Sequence, residues 1–320
     1  MRVRAISLSV ILSAALTACG GGGDAHQGLT VERYASPNPG SVNAYWIDRP
    51  DGIVIVDAGR NMSGGQKIAD EVASKGRRVA AILLTHPHPD HVGGLGVLHE
   101  RFPDTPIYAS EATHTWMRDD PFAFYPLARQ ADPDFPQAIT YATETFAGNA
   151  ELHIAGLTLQ TADFGPGESA TATAYFEPTS RTLFGGDLTG YHVTPALIEG
   201  NSCGWLTNLA ALSGRFGDAD MIYPGHGEYG MAVHQINNQR EYLKRYRDFV
   251  RPAVAPDSDG GMIVTEVETQ TIVGQLDRTF LSYPPVASLP NLQELNVAAV
   301  GRELAAEATA TVPQECLAEG

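Results

Sequence analysis

The chain has 320 residues, of which 43% are hydrophobic, so it can bury a large core as one big domain or as two ordinary ones. It carries 37 Asp and Glu residues against 21 Lys and Arg residues, a formal net charge of −16. An acidic chain without a cluster of Lys and Arg is poorly suited to nucleic acid or anionic lipid, so the composition argues against both as partners.

The N-terminus has the pattern of an export signal. Two arginines precede an apolar stretch from Ala5 to Leu16, which is too short to span a bilayer. Leu16-Thr-Ala-Cys19 resembles the cleavage site of a bacterial lipoprotein, which implies a signal peptide at residues 1–18 and a lipid anchor on Cys19. An ordinary secretory signal is the alternative. We expect residues 19–30 to be a flexible tether, and the protein to lie in the bacterial cell envelope, at the outer membrane facing the periplasm.

Short apolar runs separated by turns alternate with helical patterns along residues 31–250. Strands are predicted at 42–47, 53–57, 79–85, 106–109, 151–154, 157–162, 170–176, 182–184 and 221–223. Helices are predicted at 63–75, 95–101, after Ser110, at 205–216 and at 231–250. Two β-rich runs, each followed by helices, predict sheets packed on each other with helices outside.

Two segments are predicted to lie outside this alternation. Residues 119–138 are rich in Pro, Asp and aromatic residues and are predicted to form a long loop. Residues 251–320 are predicted to be a C-terminal helical extension, with helices at 262–278 and 291–308. Cys203 and Cys316 lie far apart in sequence and are expected to be unpaired thiols, although an exported protein permits a disulfide.

The strongest chemical signal follows the predicted strand at 79–85. His86 and His88 alternate with prolines, which hold the backbone extended so that both imidazoles can face one point. Asp90 and His91 come directly afterwards. Three imidazoles and a carboxylate within six residues suit a borderline metal such as Zn²⁺, either around one ion or divided between two.

The motifs together resemble a known family. Thr85-His-Pro-His-Pro-Asp-His-Val-Gly-Gly94 resembles the His-x-His-x-Asp-His signature of the metallo-β-lactamase fold hydrolases. The segments around Asp57, Asp187 and His226 resemble other motifs of this family, in the family's order. The resemblance runs from about residue 42 to residue 234. It implies an α/β fold, an αββα sandwich, with two metals in a cleft at one edge of the sheets.

Carried over position by position, the resemblance implies ligands for two divalent ions. It assigns His86 and His88 to the first ion, Asp90, His91 and His226 to the second, and Asp187 as the bridge. The implied reaction is hydrolysis of a carbonyl group by a metal-bridging hydroxide, with Asp90 and Asp187 as catalytic residues. Zinc is the expected metal, with Mn or Fe as alternatives.

One ligand position departs from the family's pattern. The family's remaining ligand of the first ion is a His in a Pro-Gly-His turn, whereas this turn reads Pro166-Gly-Glu168-Ser169. Glu168 either binds the first ion through oxygen, in a His₂Glu set, or points away and leaves that site weak, with Glu168 as a general base or the site degenerate. Ligation is favoured. The extra carboxylate should make the metals weaker Lewis acids.

Four further residues are predicted beside the site. Asp57 is expected to hydrogen-bond the ligand loop, with a plain turn residue as the alternative. Tyr191, His192 and Asn201 are candidates for the pocket, each with an ordinary loop role as the alternative. Aromatic residues between 116 and 125 form either a flap over the cleft or a local cluster.

The leading prediction is an exported metal-dependent hydrolase of a small ester, lactone, amide or thioester. A zinc β-lactamase is the first alternative. It is disfavoured because Asp187 stands where one zinc subclass has a bridging Cys, and because Leu188-Thr-Gly-Tyr191 offers no Lys for the drug's carboxylate. A metal-stabilised lipoprotein that binds a ligand without catalysis is the second. The sequence does not predict the oligomeric state.

Overall fold

The structure is a computed structural model that describes residues 29–37, 42–256, 262–286, 289, 291–307 and 311–317. The signal peptide predicted for residues 1–18, the lipidation site Cys19 and most of the tether predicted for residues 19–30 lie outside the described residues. No helix within these described ranges is long and apolar enough to cross a membrane.

Two six-stranded sheets form the centre of the molecule. The first has its strands in chain order: β1 Val31–Ala35, β2 Asn43–Arg49, β3 Gly52–Val56, β4 Val79–Leu83, β5 Ile107–Ser110 and β6 Glu144–Phe146. The second runs in reverse chain order from β12 to β7, with β7 Glu151–Ile154, β8 Leu157–Phe164, β9 Ala172–Glu177, β10 Thr182–Tyr191, β11 Met221–Gly227 and β12 Gly230–Met231.

Nine helices are described around the two sheets. They are α1 Met62–Ser74, α2 Pro89–Val92, α3 Leu95–Arg101, α4 Glu111–Asp119, α5 Phe124–Ala131, α6 Ser202–Arg215, α7 Ala232–Val250, α8 Glu266–Thr279 and α9 Leu292–Glu307. A small two-stranded sheet joins Ala255–Pro256 to Met262–Ile263, and single 3-10 turns lie at Arg251–Ala253 and Gln314–Cys316.

The core has three layers because the central strands are buried on both faces. In β3, Ile53 and Ile55 pack with α1 and α3, whereas Val54 and Val56 pack against the second sheet. This alternation is the two-residue period of a strand, with apolar residues on both faces. On the far side of the second sheet, a third apolar cluster joins β9, β10 and β11 to α6, α7, α8 and α9. The predicted αββα sandwich with added C-terminal helices is therefore confirmed.

The C-terminal ends of β3, β4, β10 and β11 lie at one edge of the sandwich, because each of these two neighbouring pairs is parallel. β3 and β4 are parallel, with Val56 opposite Leu83, and β10 and β11 are parallel, with Phe184 opposite Tyr223. A single bridge between Val42 and His226 joins the two sheets at this edge. The loops that carry the predicted ligands therefore converge there.

The predicted loop at 119–138 contains a helix, α5, so that prediction is wrong. The carboxylate of Asp120 accepts hydrogen bonds from the backbone N–H groups of Phe124 and Tyr125 at 2.8 and 3.1 Å, which satisfies the first turn. Pro126 lies in that same turn, where a backbone N–H is not needed. The short edge strands β1 and β6 were also not predicted from the sequence.

The prediction of two unpaired thiols is wrong, because Cys203 and Cys316 form a disulfide. Their Cα atoms are 5.2 Å apart although 113 residues separate them in sequence. The chain returns after α9 and lays its last turn against the start of α6. A guanidinium N–H of Arg247 donates to the carbonyl oxygen of Cys316 at 3.3 Å and holds this end in place.

Candidate metal centre

The ligand loop is fixed by a carboxylate from the neighbouring strand. Asp57 follows β3 with a φ of 61° and accepts hydrogen bonds from the backbone N–H of Thr85 at 2.9 Å and from its hydroxyl at 2.8 Å. The same carboxylate lies 2.9 Å from Nδ1 of His91. Asp57 thus contacts both ends of the loop and determines which nitrogen of His91 faces the cleft.

The seven predicted ligand residues lie together in two groups, in which ligand-type atoms are within 4.8 Å of one another. One group is His86, His88, Glu168 and Asp187, and the other is Asp90, His91 and His226. Asp187 connects the groups, since its carboxylate oxygens lie 3.3 Å from Nε2 of His91 and 3.2 Å from Nε2 of His226. This arrangement fits a dinuclear metal site.

The position of Asp187 depends on an irregular strand and on one glycine. The pairing of β10 with β11 shifts register between Phe184 and Gly190, which turns the Asp187 side chain into the cleft. A Cβ at Gly225 would lie 1.8 Å from Oδ1 of Asp187 and 2.8 Å from the ring of His91. Only glycine at this position leaves room for that carboxylate and ring.

Each imidazole of the ligand loop has one nitrogen engaged and one directed into the cluster. Nδ1 of His86 lies 3.0 Å from the Thr85 hydroxyl and Nε2 of His88 lies 3.0 Å from Glu199. Within the described part of the chain, four buried atoms of the cluster make no hydrogen bond: Nε2 of His86, Nε2 of His91, Oε2 of Glu168 and Oδ1 of Asp187. Buried polar atoms without partners are costly, and nitrogen and carboxylate oxygen are donors that Zn²⁺ accepts. The residues present therefore fit bound metal.

The charges in the cluster favour a cation. Burial alone would lower the pKa of His91, but Asp187 and Asp57 together raise it well above its ordinary value. Burial alone would raise the pKa of Asp187, but His226 and His91 hold it well below its usual range. Asp187 is therefore ionised and draws positive charge onto His91, and a divalent cation would replace the proton of that imidazole.

Glu168 points into the cluster. Its Oε2 lies 3.2 Å from Nδ1 of His88 and 3.8 Å from Nε2 of His86. Burial raises the pKa of Glu168 to about 7, and Asp187 adds to that rise while His88 opposes it. Of the two alternatives given for Glu168, this geometry favours the one in which its carboxylate can bind the first ion.

Glu199 is a site residue that the sequence did not reveal. Its side chain is only 5% exposed, and its Oε1 lies 3.0 Å from Nε2 of His88. Its loop is held by α9: the side-chain amide of Asn296 accepts from the N–H of Leu197 at 2.7 Å and donates to the carbonyl of Pro195 at 2.8 Å. Glu199 therefore contacts one ring nitrogen of His88 in the same way that Asp57 contacts one ring nitrogen of His91.

The cluster forms the floor of a cleft of about 550 Å³. One part of its lining comes from α5 and Phe135, and another from Ala196, Ile198, Glu199, Val286 and Leu289. Tyr125 anchors the first part, since its hydroxyl donates to the carbonyl of Pro87 at 2.7 Å. The ring of Phe124 lies 5.5 Å from that of His88, so the predicted aromatic segment contributes to the cleft.

Three predicted pocket residues do not line this cleft as far as the structure describes it. Tyr191 ends β10 and stacks on His192 with ring centres 4.0 Å apart, and His192 contacts Tyr283. Asn201 precedes α6, where its carbonyl accepts from the N–H of Trp205 at 2.9 Å. These contacts are those of loop and helix-start residues.

The profile of the metallo-beta-lactamase superfamily matches residues 37–226. "Probable metallo-hydrolase YqgX" of Bacillus subtilis (strain 168) is 29% identical over 191 residues, which are 59% of this chain and 86% of that protein. A hydroxyacylglutathione hydrolase of Xylella fastidiosa (strain 9a5c) is 44% identical over 81 residues, which are 24% of this chain and 30% of that enzyme.

Solved structures share the fold at low sequence identity. A beta-lactamase domain protein from Burkholderia ambifaria gives a TM-score of 0.62 at 19% identity, covering 88% of this chain and 86% of that one. A metallo-beta-lactamase family protein from Thermus thermophilus gives 0.59 at 18%, covering 88% and 93%. The profile covers more than half of the chain, and its ligand residues converge at one cleft. The chain therefore belongs to the metallo-beta-lactamase superfamily and is a hydrolase of that superfamily.

Proposed function

We propose that this protein is a metal-dependent hydrolase of a small ester, lactone, amide or thioester, with two divalent metals, most simply zinc, held by the seven clustered residues. The observation that carries the proposal is the buried cluster itself, in which Asp187 lies within reach of both ligand groups. When bound, two such ions supply an activated water at neutral pH and an electrophile for the substrate carbonyl.

The chain's own side chains have distinct tasks in this reaction. His86, His88 and Glu168 would hold one ion and Asp90, His91 and His226 the other, and Asp187 lies within reach of both groups. Asp57 contacts Nδ1 of His91 and Glu199 contacts Nε2 of His88, so that the other ring nitrogen of each faces the cluster, where it could bind a metal. The apolar walls exclude bulk water from the floor of the cleft, which strengthens every electrostatic contact there.

The β-lactamase alternative gains no support from the cleft. Asn201 resembles an Asn that one zinc β-lactamase subclass has near this position, but the described cleft lining does not include Asn201. The non-catalytic alternative required Glu168 to disable the site, whereas its carboxylate lies 3.2 Å from His88 and points into the cluster.

Metal content and a substrate panel test the proposal. Protein made in metal-replete medium should hold close to two divalent ions per chain by elemental analysis. It should hydrolyse at least one member of a panel of chromogenic esters, lactones, amides, thioesters and a cephalosporin, and lose that activity after chelation. Protein without transition metal, or a metal-loaded protein inactive on the whole panel, would refute it.

We also propose that the protein is exported and lipid-anchored at Cys19. The disulfide between Cys203 and Cys316 supports export, because disulfides persist in oxidising compartments. Cys19→Ser should move the protein from the membrane fraction to the soluble fraction, since one lipid anchor is removed. An unchanged membrane fraction would exclude the anchor.

A further inference from the structure

We infer that the cleft selects an uncharged substrate with an apolar chain, and discriminates against substrates that carry a carboxylate. This inference rests on the proposed hydrolase function and names the substrate class of the same site. Two independent properties of the cleft carry it, namely its apolar walls and its charge.

The walls of the cleft are mostly aliphatic and aromatic. The apolar lining residues are Phe124, Leu127, Ala128, Ala131, Phe135, Ala196, Ile198, Val286 and Leu289. They line a volume of about 550 Å³, a size typical of pockets for small organic ligands. Leu127 and Leu289 are 54% and 38% exposed, so the apolar surface continues to the mouth. Such a surface is best covered by an alkyl or aryl group.

The floor and sides of the cleft are strongly acidic. Five carboxylates line it: Asp90, Asp132, Glu168, Asp187 and Glu199. Within the described chain, the carboxylates that contact the imidazoles of the site are also five, because Asp57 contacts His91 whereas Asp132 contacts none of these imidazoles. Two divalent cations would bring only four positive charges against these five negative charges. A loaded centre of this composition does not attract an anionic substrate.

The cleft also has few cationic side chains that could pair with a substrate carboxylate. Among its lining residues in the described ranges, Arg60 is the one Lys or Arg. Its Nη2 donates to the carbonyl of Val286 at 3.0 Å and lies 3.9 Å from Asp90, whereas its Nε has no hydrogen-bond partner among the described residues but is buried out of reach of a substrate carboxylate. The guanidinium is thus engaged in joining the ligand loop to the segment of Val286. A substrate carboxylate would lose its hydration without gaining a paired cation.

The experiment uses metal-loaded protein and matched esters. p-Nitrophenyl acetate, butyrate and octanoate form a neutral series, and the mono-p-nitrophenyl ester of suberic acid has the eight-carbon chain of the octanoate with a terminal carboxylate. We expect kcat/KM to rise about 4-fold for each buried methylene until the chain fills the cleft. The suberate ester should be at least about 10-fold slower than the octanoate. A flat neutral series, or a suberate ester faster than the octanoate, would overturn the inference.

The same Leu→Lys substitution at two positions tests whether the discrimination against a carboxylate arises in the cleft. Leu127→Lys places a cation at the mouth, on a side chain exposed enough to be changed without unfolding the protein. It should reduce the octanoate-to-suberate ratio at least about 5-fold, the size of one charge contact in water. Leu281→Lys makes the same change at a 73% exposed leucine outside the described cleft lining, and should leave the ratio unchanged. Equal effects of the two variants would contradict the assignment.

Failure of the hydrolase proposal is measured separately. If the metal-loaded protein hydrolyses none of the wider panel, the proposed function fails, and binding then tests the cleft alone. Neutral octanamide should displace Nile red from the protein at least about 10-fold better than suberamic acid, and Leu127→Lys should narrow that difference. Equal displacement by both amides would overturn the inference about the cleft as well.

Discussion

Two histidines of the ligand loop have the same arrangement but different support. Asp57 contacts Nδ1 of His91, the outer ring nitrogen, which faces away from the cluster. Asp57 follows β3, which pairs with β4 in the same sheet. Glu199 engages the outer nitrogen of His88 from an irregular segment that is 111 residues away in sequence and is held by α9. One ligand is therefore positioned by the sheet, and the other by the C-terminal extension. We expect the two ligand groups to respond differently to substitution.

The largest effect is expected for Glu168→Ala, which removes a proposed ligand from the His88 group. The affinity for one of the two ions should fall by well over the roughly 10–100-fold typical of residues that only orient a ligand. Turnover should fall with it. Elemental analysis after dialysis should give about one ion per chain. Two ions still tightly held would show that Glu168 is not a ligand.

Glu168→His should instead restore the imidazole set of the family. Two ions should remain bound, and the acidic limb of the pH–rate profile should move to lower pH, because one negative charge beside the attacking water is removed. The measurement is kcat against pH for both proteins with the same substrate. An unchanged profile would contradict the expected charge effect of Glu168.

Glu199→Gln and Asp57→Asn compare the two supports directly. Each variant keeps a hydrogen-bonding side chain and removes one charge, so each should lower the affinity for a single ion about 10–100-fold. Calorimetric titration of metal-free protein should show the loss at one ion in Glu199→Gln and at the other in Asp57→Asn. Glu100→Gln, at an exposed position, is the control and should bind both ions normally. Loss of the same ion in both variants would contradict separate supports.

The smallest effect on the metals is expected for Cys316→Ser. Loss of the disulfide should lower the free energy of unfolding by about 2–4 kcal/mol, measured by denaturant titration. Metal affinity should change less than in Glu199→Gln, because Glu303 still binds the start of α6 through the N–H of Ser202 at 2.9 Å. A loss of metal as large as in Glu199→Gln would show that the disulfide, rather than α9, positions the Glu199 segment.

The sequence predicts what lies in contiguous patterns. His86 to His91 follow one buried strand within six residues, so the sequence pattern alone predicts their convergence. Glu199 has no such signal: it lies between Ile198 and Gly200 in a segment without regular periodicity, and only α9 brings it to His88. The disulfide was missed for a related reason, since sequence separation says little about spatial distance. Helix α5 was missed because the residue directly before it, Ala123, has no capping side chain. The carboxylate that accepts from its first N–H belongs to Asp120, four residues before Phe124.

The cleft wall formed by Val286 and Leu289 lies beyond residue 226, where the match to the family profile ends. The catalytic floor and this wall are thus encoded in separate stretches of the chain. Exchange of the segment around residue 286 could alter which substrates are accepted while every candidate metal-binding residue stays the same. New specificities could then be acquired, by evolution or in the laboratory, through recombination downstream of the hydrolase core.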